Sequence, residues 1–146
     1  MTVELLSAPA SQYEAPAWVD LTAARARERL TPASVRGLVR LAQAWELTTD
    51  QVCHLLGSVP QSTWYSWKRT PPADLGVDRL TRISYLLGIY SALHALFGAP
   101  LSDEWVSRPN TNPLFNGGTP LEAMTAGGIP VLADVRTLLD GRRGGL

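Results

Sequence analysis

Residues 48–70 read "TTDQVCHLLGSVPQSTWYSWKRT", and the punctuation of this stretch decides the fold. Thr48 followed three residues later by Gln51 has the form of a capping box. Val52, Leu55 and Leu56 then supply one apolar face, and Gly57 is the stop. A second short helix starts at Pro60, carries Trp64 and Trp67 at i, i+3, and runs out before Pro71 and Pro72. Upstream, "TPASVRGLVRLAQAWE" offers Thr31 as N-cap, Pro32 at the first helical position, and Val35, Leu38, Val39, Ala42 and Trp45 as a stripe at helical spacing. One longer helix, then two short ones joined by a glycine turn, is the helix-turn-helix arrangement.

In that arrangement the last helix enters the major groove. Its candidate DNA-binding residues are Gln61, Ser62, Thr63, Tyr65 and Ser66, with Lys68 and Arg69 at the far end suited to phosphates rather than to base edges. The competing reading is that these residues are plain surface. For Trp64 and Trp67 core packing is the preferred reading.

Working outward, "DRLTRISYLLGIYSALHALF", about Asp78 to Phe97, is apolar on more than one face and is expected to be a long helix covered on both sides. One side suits the three-helix unit; the other suits the C-terminal segment or a second copy, which predicts a homodimer. Beyond it, Ser102, Asp103 and Glu104 open a short helix that ends near Pro109. Thr119, Pro120, Leu121 and Glu122 read as an N-cap, a first-position proline and a capping box, and Gly127 and Gly128 stop that helix. The last helix runs from Pro130 to Gly141 with Val131, Leu132, Val135, Leu138 and Leu139 on one face, leaving "RRGGL" as a tail.

Composition bounds the rest. The 146 residues are 45% hydrophobic and 18% charged, enough for one compact domain or two small helical units sharing a core. Net charge is zero, yet residues 21–82 hold nine basic against five acidic side chains, a surplus of four compatible with a phosphate-backbone partner or with a solvated face. The single cysteine excludes an intramolecular disulfide, and "MTVELLSAPA" lacks the features of an export signal, so a cytoplasmic protein is expected. "YLLGIYSALHALFG" is too short for a membrane span. His94 has no Cys, Asp or Glu at i±3 or i±4, and Cys53 and His54 are adjacent on a helix and so point apart. No clustered acid, base, metal-ligand or cofactor set is visible, which argues against an enzyme.

Two sets of residues carry a family resemblance. "LGSVPQSTWYSWK" resembles the "LGVSxxTxxxW" segment of Xre-type bacterial regulators. The long helix, the "WVxxPN" turn, the "FNGGTPLEAM" loop and the "VRxLLDGRRGG" ending together resemble the toxin-binding C-terminal domain of the Xre/MbcA/ParS antitoxins. The resemblance implies an all-α chain: an N-terminal extension over residues 1–30, an Xre-like helix-turn-helix over 31–76, and the long helix plus toxin-binding domain over 77–146. It implies a type II antitoxin that covers the active site of an NAD-degrading RES-domain toxin, and that binds the promoter of its own operon, as a homodimer within a hetero-oligomeric complex. It places Trp105, Asn110, Phe115, Gly117 and Gly118 in the loop framework, and Arg136, Asp140, Arg142 and Arg143 nearest the toxin. Core packing is the preferred reading for Trp105 and Phe115. The alternative function is a stand-alone dimeric helix-turn-helix regulator whose C-terminal region only dimerises.

Overall fold

The computed structural model describes residues 2–5 and 17–143. A two-stranded antiparallel ribbon, β1 (Thr2–Leu5) against β2 (Ala17–Asp20), precedes six helices. These are α1 (Ala24–Ala44), α2 (Thr49–Leu55), α3 (Gln61–Arg69), α4 (Val77–Leu96), α5 (Leu101–Glu104) and α6 (Pro120–Arg143). Turns of 3-10 helix at Trp105–Ser107 and Pro113–Phe115 link the last two. The helices hold the core, as the all-α expectation has it.

Helix α1 begins at Ala24, two turns before the expected start, with Pro32 inside it. An interior proline leaves one carbonyl without its amide partner and crowds the preceding turn, costing roughly 3 kcal/mol in a free helix. Tertiary contacts offset this. Leu21 is fully buried, and Ala26 and Leu30 pack against the core. Arg27 donates from Nη1 to the carbonyls of Leu21 and Thr22 and from Nε to Asp74. Thr31 is therefore no N-cap. Its buried hydroxyl donates to the Arg27 carbonyl at 2.8 Å and accepts the Leu75 amide at 3.2 Å, tying α1 to the loop before α4. The Thr31→Val variant keeps the shape but strands the Leu75 amide; a loss of about 1–3 kcal/mol is expected in urea denaturation.

The Asp74 carboxyl is held below the usual carboxylate range by the Gly76 amide, with Arg27 as a second cause. A depressed carboxylate contributes stability that is present above its unfolded pKa, about 3.9, and is lost as pH falls through its lower folded value. Between pH 4 and pH 2 the wild type is expected to lose stability more steeply than Asp74→Asn, in urea midpoints taken across that range.

Helix α4 is the spine. It packs on α1 along one side and on α6 along the other, and Leu80, Ile83, Leu86, Ile89, Ala92 and Leu93 are buried between them. Both apolar sides are thus used within the chain, so the homodimer expected from an uncovered side of this helix needs a different surface. Gly88 has a packing reason: Arg136 of α6 crosses α4 there, with Nη1 only 1.7 Å from where a Cβ would stand.

Helix α6 holds the expected pair of helices, one on each side of Gly128. It is one path of 24 residues broken at Gly128, whose φ of 67° and ψ of −154° are not helical. It also continues through Gly141 to Arg143 instead of stopping there. A helical glycine costs only about 1 kcal/mol relative to alanine, and Leu132, Val135 and Leu139 are fully buried on that run. The expected tail is helical as far as Arg143; Gly144, Gly145 and Leu146 lie outside the described residues.

Candidate functional site

Two surfaces collect the candidate residues. The first is α3. The capping box at Thr48 is complete: its hydroxyl accepts the Gln51 amide, and the Gln51 side chain accepts the Thr48 amide. At the other end of α2, Gly57 (φ 91°) and Ser58 (φ 69°) turn the chain in the left-handed region, and buried Val59 anchors the turn. Glycine tolerates such angles freely, and Ser58 is held there by the hydrogen bond that its N–H donates to the Cys53 carbonyl.

This turn aims α3 so that Trp64 is buried and Trp67 half-buried under the Arg79 guanidinium, 5.5 Å from its ring. The packing reading of both indoles holds. Gln61, Ser62, Tyr65, Ser66, Lys68 and Arg69 are exposed, and Thr63 is half-buried. Tyr65 is the one large apolar side chain among the described residues that stands out in solvent, 48% exposed. Its hydroxyl lies 3.3 Å from Thr49 Oγ1, and Lys68 Nζ sits 4.7 Å from its ring centroid, a cation–π contact. The arrangement is an outward polar strip on a helix fixed from behind by indoles.

The second surface is built by the 109–124 loop and α6. Asn112 accepts the Leu114 amide, Asn110 accepts the Asn112 amide, and the Asn110 amide closes the loop onto the Gly118 carbonyl. Asn116 (φ 49°) and Gly117 (φ 81°) turn left-handed, and Phe115 points inward to meet Trp105 edge-on, centroids 5.7 Å apart. Thr119 caps α6, but not as a full capping box. Its hydroxyl accepts the Glu122 amide and donates to the Glu122 carboxylate, which accepts from the hydroxyl and not from the Thr119 backbone amide.

Of the residues expected nearest the toxin, Arg136 is mainly a brace. It pairs with Asp140 at 2.9 Å and its side chain is 17% exposed, pressed over Gly88. Asp140 and Arg142 are exposed, and the Arg143 side chain lies outside the described part of the structure. Phe115 is buried, as the packing reading has it, and Asn110 and Gly118 are half-buried.

Several contacts escaped sequence reasoning. The Arg82 guanidinium, paired with Asp78, lies against Gly57 of the α2–α3 turn and near the Gly128 break, touching both surfaces' hinges. His94 Nε2 stands 3.2 Å from Asp103 on α5, its Nδ1 donates to the Tyr90 carbonyl, and its ring stacks on Tyr90. The partner lies nine residues on, beyond the helical spacings that a single helix makes visible. Only Gly88 had a signal, a glycine inside an apolar helix. Burial pushes the Cys53 thiol up, with Asp50 adding to it, so it is a core residue rather than a nucleophile. Among the described residues no helix is long and apolar enough to cross a membrane.

Residues 22–88 match the antitoxin Xre-like helix-turn-helix domain, and residues 92–145 match the antitoxin Xre/MbcA/ParS C-terminal toxin-binding domain. The chain belongs to the Xre/MbcA/ParS antitoxin family. A relative, "Uncharacterized protein y4oB" of Sinorhizobium fredii (strain NBRC 101917 / NGR234), is 36% identical over 115 residues, covering 78% of this chain and 87% of that protein. Both surfaces described above fall inside the matched segments, α3 in the first and α6 in the second. The family's two domains are binding and regulatory, and the antitoxin joins them through α4.

Proposed function

We propose that this antitoxin neutralises a RES-domain toxin that degrades NAD, by laying the end of α6 over the toxin's active site, and that it represses its own operon through α3. Labour divides near residue 76: the helix-turn-helix expected over 31–76, whose first helix starts at Ala24, holds DNA, residues 77–146 hold the toxin, and the protein works in the cytoplasm as a dimer within the toxin–antitoxin complex. The observation that carries the reading is the end of α6. It is stiffened by the Arg136–Asp140 pair and by burial of Leu132, Val135 and Leu139, and it brings the exposed Arg142 to its last turn. A guanidinium on a rigid arm suits a pocket shaped for the phosphates of a dinucleotide. Asp140 stays beside it as a second polar contact, and the Asn110–Gly118 loop with Phe115 and Gly117 fixes where α6 starts.

The test is co-expression with the RES-type product of the adjacent reading frame. Full-length antitoxin is expected to copurify with it and to keep cellular NAD and growth at control levels. A chain ending at Asp140 is expected to protect at least tenfold less well in survival counts. Full protection by the shortened chain, or no copurification, overturns the reading. Retardation of upstream DNA without any protein partner favours a stand-alone regulator instead.

A further inference from the structure

Helix α1 carries Arg25, Arg29, Arg36 and Arg40, all exposed. At 100° per residue they fall within about 60° of arc along roughly 22 Å of helix. Val35, Leu38 and Leu41 mark the buried face, and the arginine stripe lies opposite them. Glu28, the one acidic residue of α1, projects to one side of the stripe by the same helical count.

The local basic surplus is thereby resolved into parts. Arg27 is spent on Asp74, Arg82 on Asp78, and Arg79 lies over the Trp67 ring. Among the described residues, the four stripe arginines have no ion pair or hydrogen bond. Four like charges kept free on one face repel one another, and a solvated face does not need that spacing. The stripe also runs towards α3. Gln43, one turn beyond Arg40 and on the same arc, lines with Glu46, Thr49 and Lys68 a cleft of about 350 Å³, so one carboxylate stands between the stripe and α3. Helix α4, by contrast, meets α1 at Gly37, away from the stripe.

We propose that Arg25, Arg29, Arg36 and Arg40 form a second phosphate-binding surface, a rail that holds the backbone of the duplex entered by α3. The inference rests on the DNA-binding half of the proposed function. Guanidinium forks match phosphate oxygens, and a rail continuous with the Lys68 end of α3 extends the contact beyond the major-groove site. It carries no sequence information, so it sets affinity and orientation rather than specificity.

Fluorescence anisotropy with a 40-base-pair duplex from the gene's own upstream region, titrated across salt concentrations, tests it. Each phosphate contact contributes a slope of about −0.9 in log K against log salt. The R25Q/R29Q/R36Q/R40Q variant is expected to have a slope shallower by roughly 3, with affinity down on the order of 10–100-fold at moderate salt. The matching fourfold Arg→Lys variant is expected to recover most of the slope, and the thermal midpoints of all three proteins to agree. An unchanged slope in the glutamine variant overturns the rail. So does an unchanged slope accompanied by lost toxin capture, which reassigns the stripe to an acidic protein surface. A wild-type protein that binds no duplex even at low salt overturns the DNA reading itself, and is told apart because it appears before any substitution is made.

Discussion

Replacing Gly128 by alanine is expected to cost the fold roughly 2–3 kcal/mol and to abolish toxin capture. Its φ of 67° with ψ of −154° belongs to a region open essentially to glycine alone, where other residues carry strain of about 1–3 kcal/mol. Crowding is not the cause. A Cβ at this position would meet only Arg82 Nη1 and Nη2, at 3.8 Å, an ordinary contact. The strain is relieved only if residue 128 turns helical, and a straight α6 would lift Leu132, Val135 and Leu139 off α4. Gly141 is the control. It is helical, nothing lies within 4 Å of its Cβ position, and Gly141→Ala is expected to raise stability by up to about 1 kcal/mol. Urea midpoints and toxin pull-down check both variants; an unchanged midpoint for Gly128→Ala would show that the break is not needed.

The contrast between those two glycines also shows what the sequence made legible. Short-range grammar was readable: the Thr48–Gln51 box, the Gly57 turn, the span of α4 and the Gly128 break each depend on residues within four positions of one another. The start of α1 was not, because Thr31–Pro32 has the form of a helix start and only the distant Leu75 amide and Asp74 show that the helix continues upstream. That error hid the arginine stripe, since Arg25 and Arg29 share a face with Arg36 and Arg40 only if one helix carries all four. Arg136 has a second role that the sequence did not show. The family resemblance placed it nearest the toxin, and the gap left by Gly88, 48 residues earlier, shows in addition that it braces α6 against α4. Sequence spacing reports neighbours along a helix and says little of which helix lies across from it.

The Phe115→Ala variant is expected to lose about 3–4 kcal/mol, within the range for deleting a buried phenylalanine. The ring is 3% exposed and meets Trp105 edge-on at 5.7 Å with planes 84° apart, an arrangement worth more than its buried area alone. Without the ring, the loop keeps its backbone bonds from Asn110 to Gly118 and from Gly118 to Phe115. Those bonds fix its curvature but not its seat on the core. The Thr119 cap would then drift, and with it the direction in which α6 sets out. Phe115→Leu refills most of the volume and is expected to lose only about 1–1.5 kcal/mol. Near-UV circular dichroism should lose the Trp105 signal in the alanine variant and keep most of it with leucine. Toxin capture separates packing from contact. If Phe115 acts only through the fold, the leucine variant binds toxin like the wild type at a temperature where both are folded. A leucine variant that is stable yet fails to bind would make the ring part of the interface, against its burial.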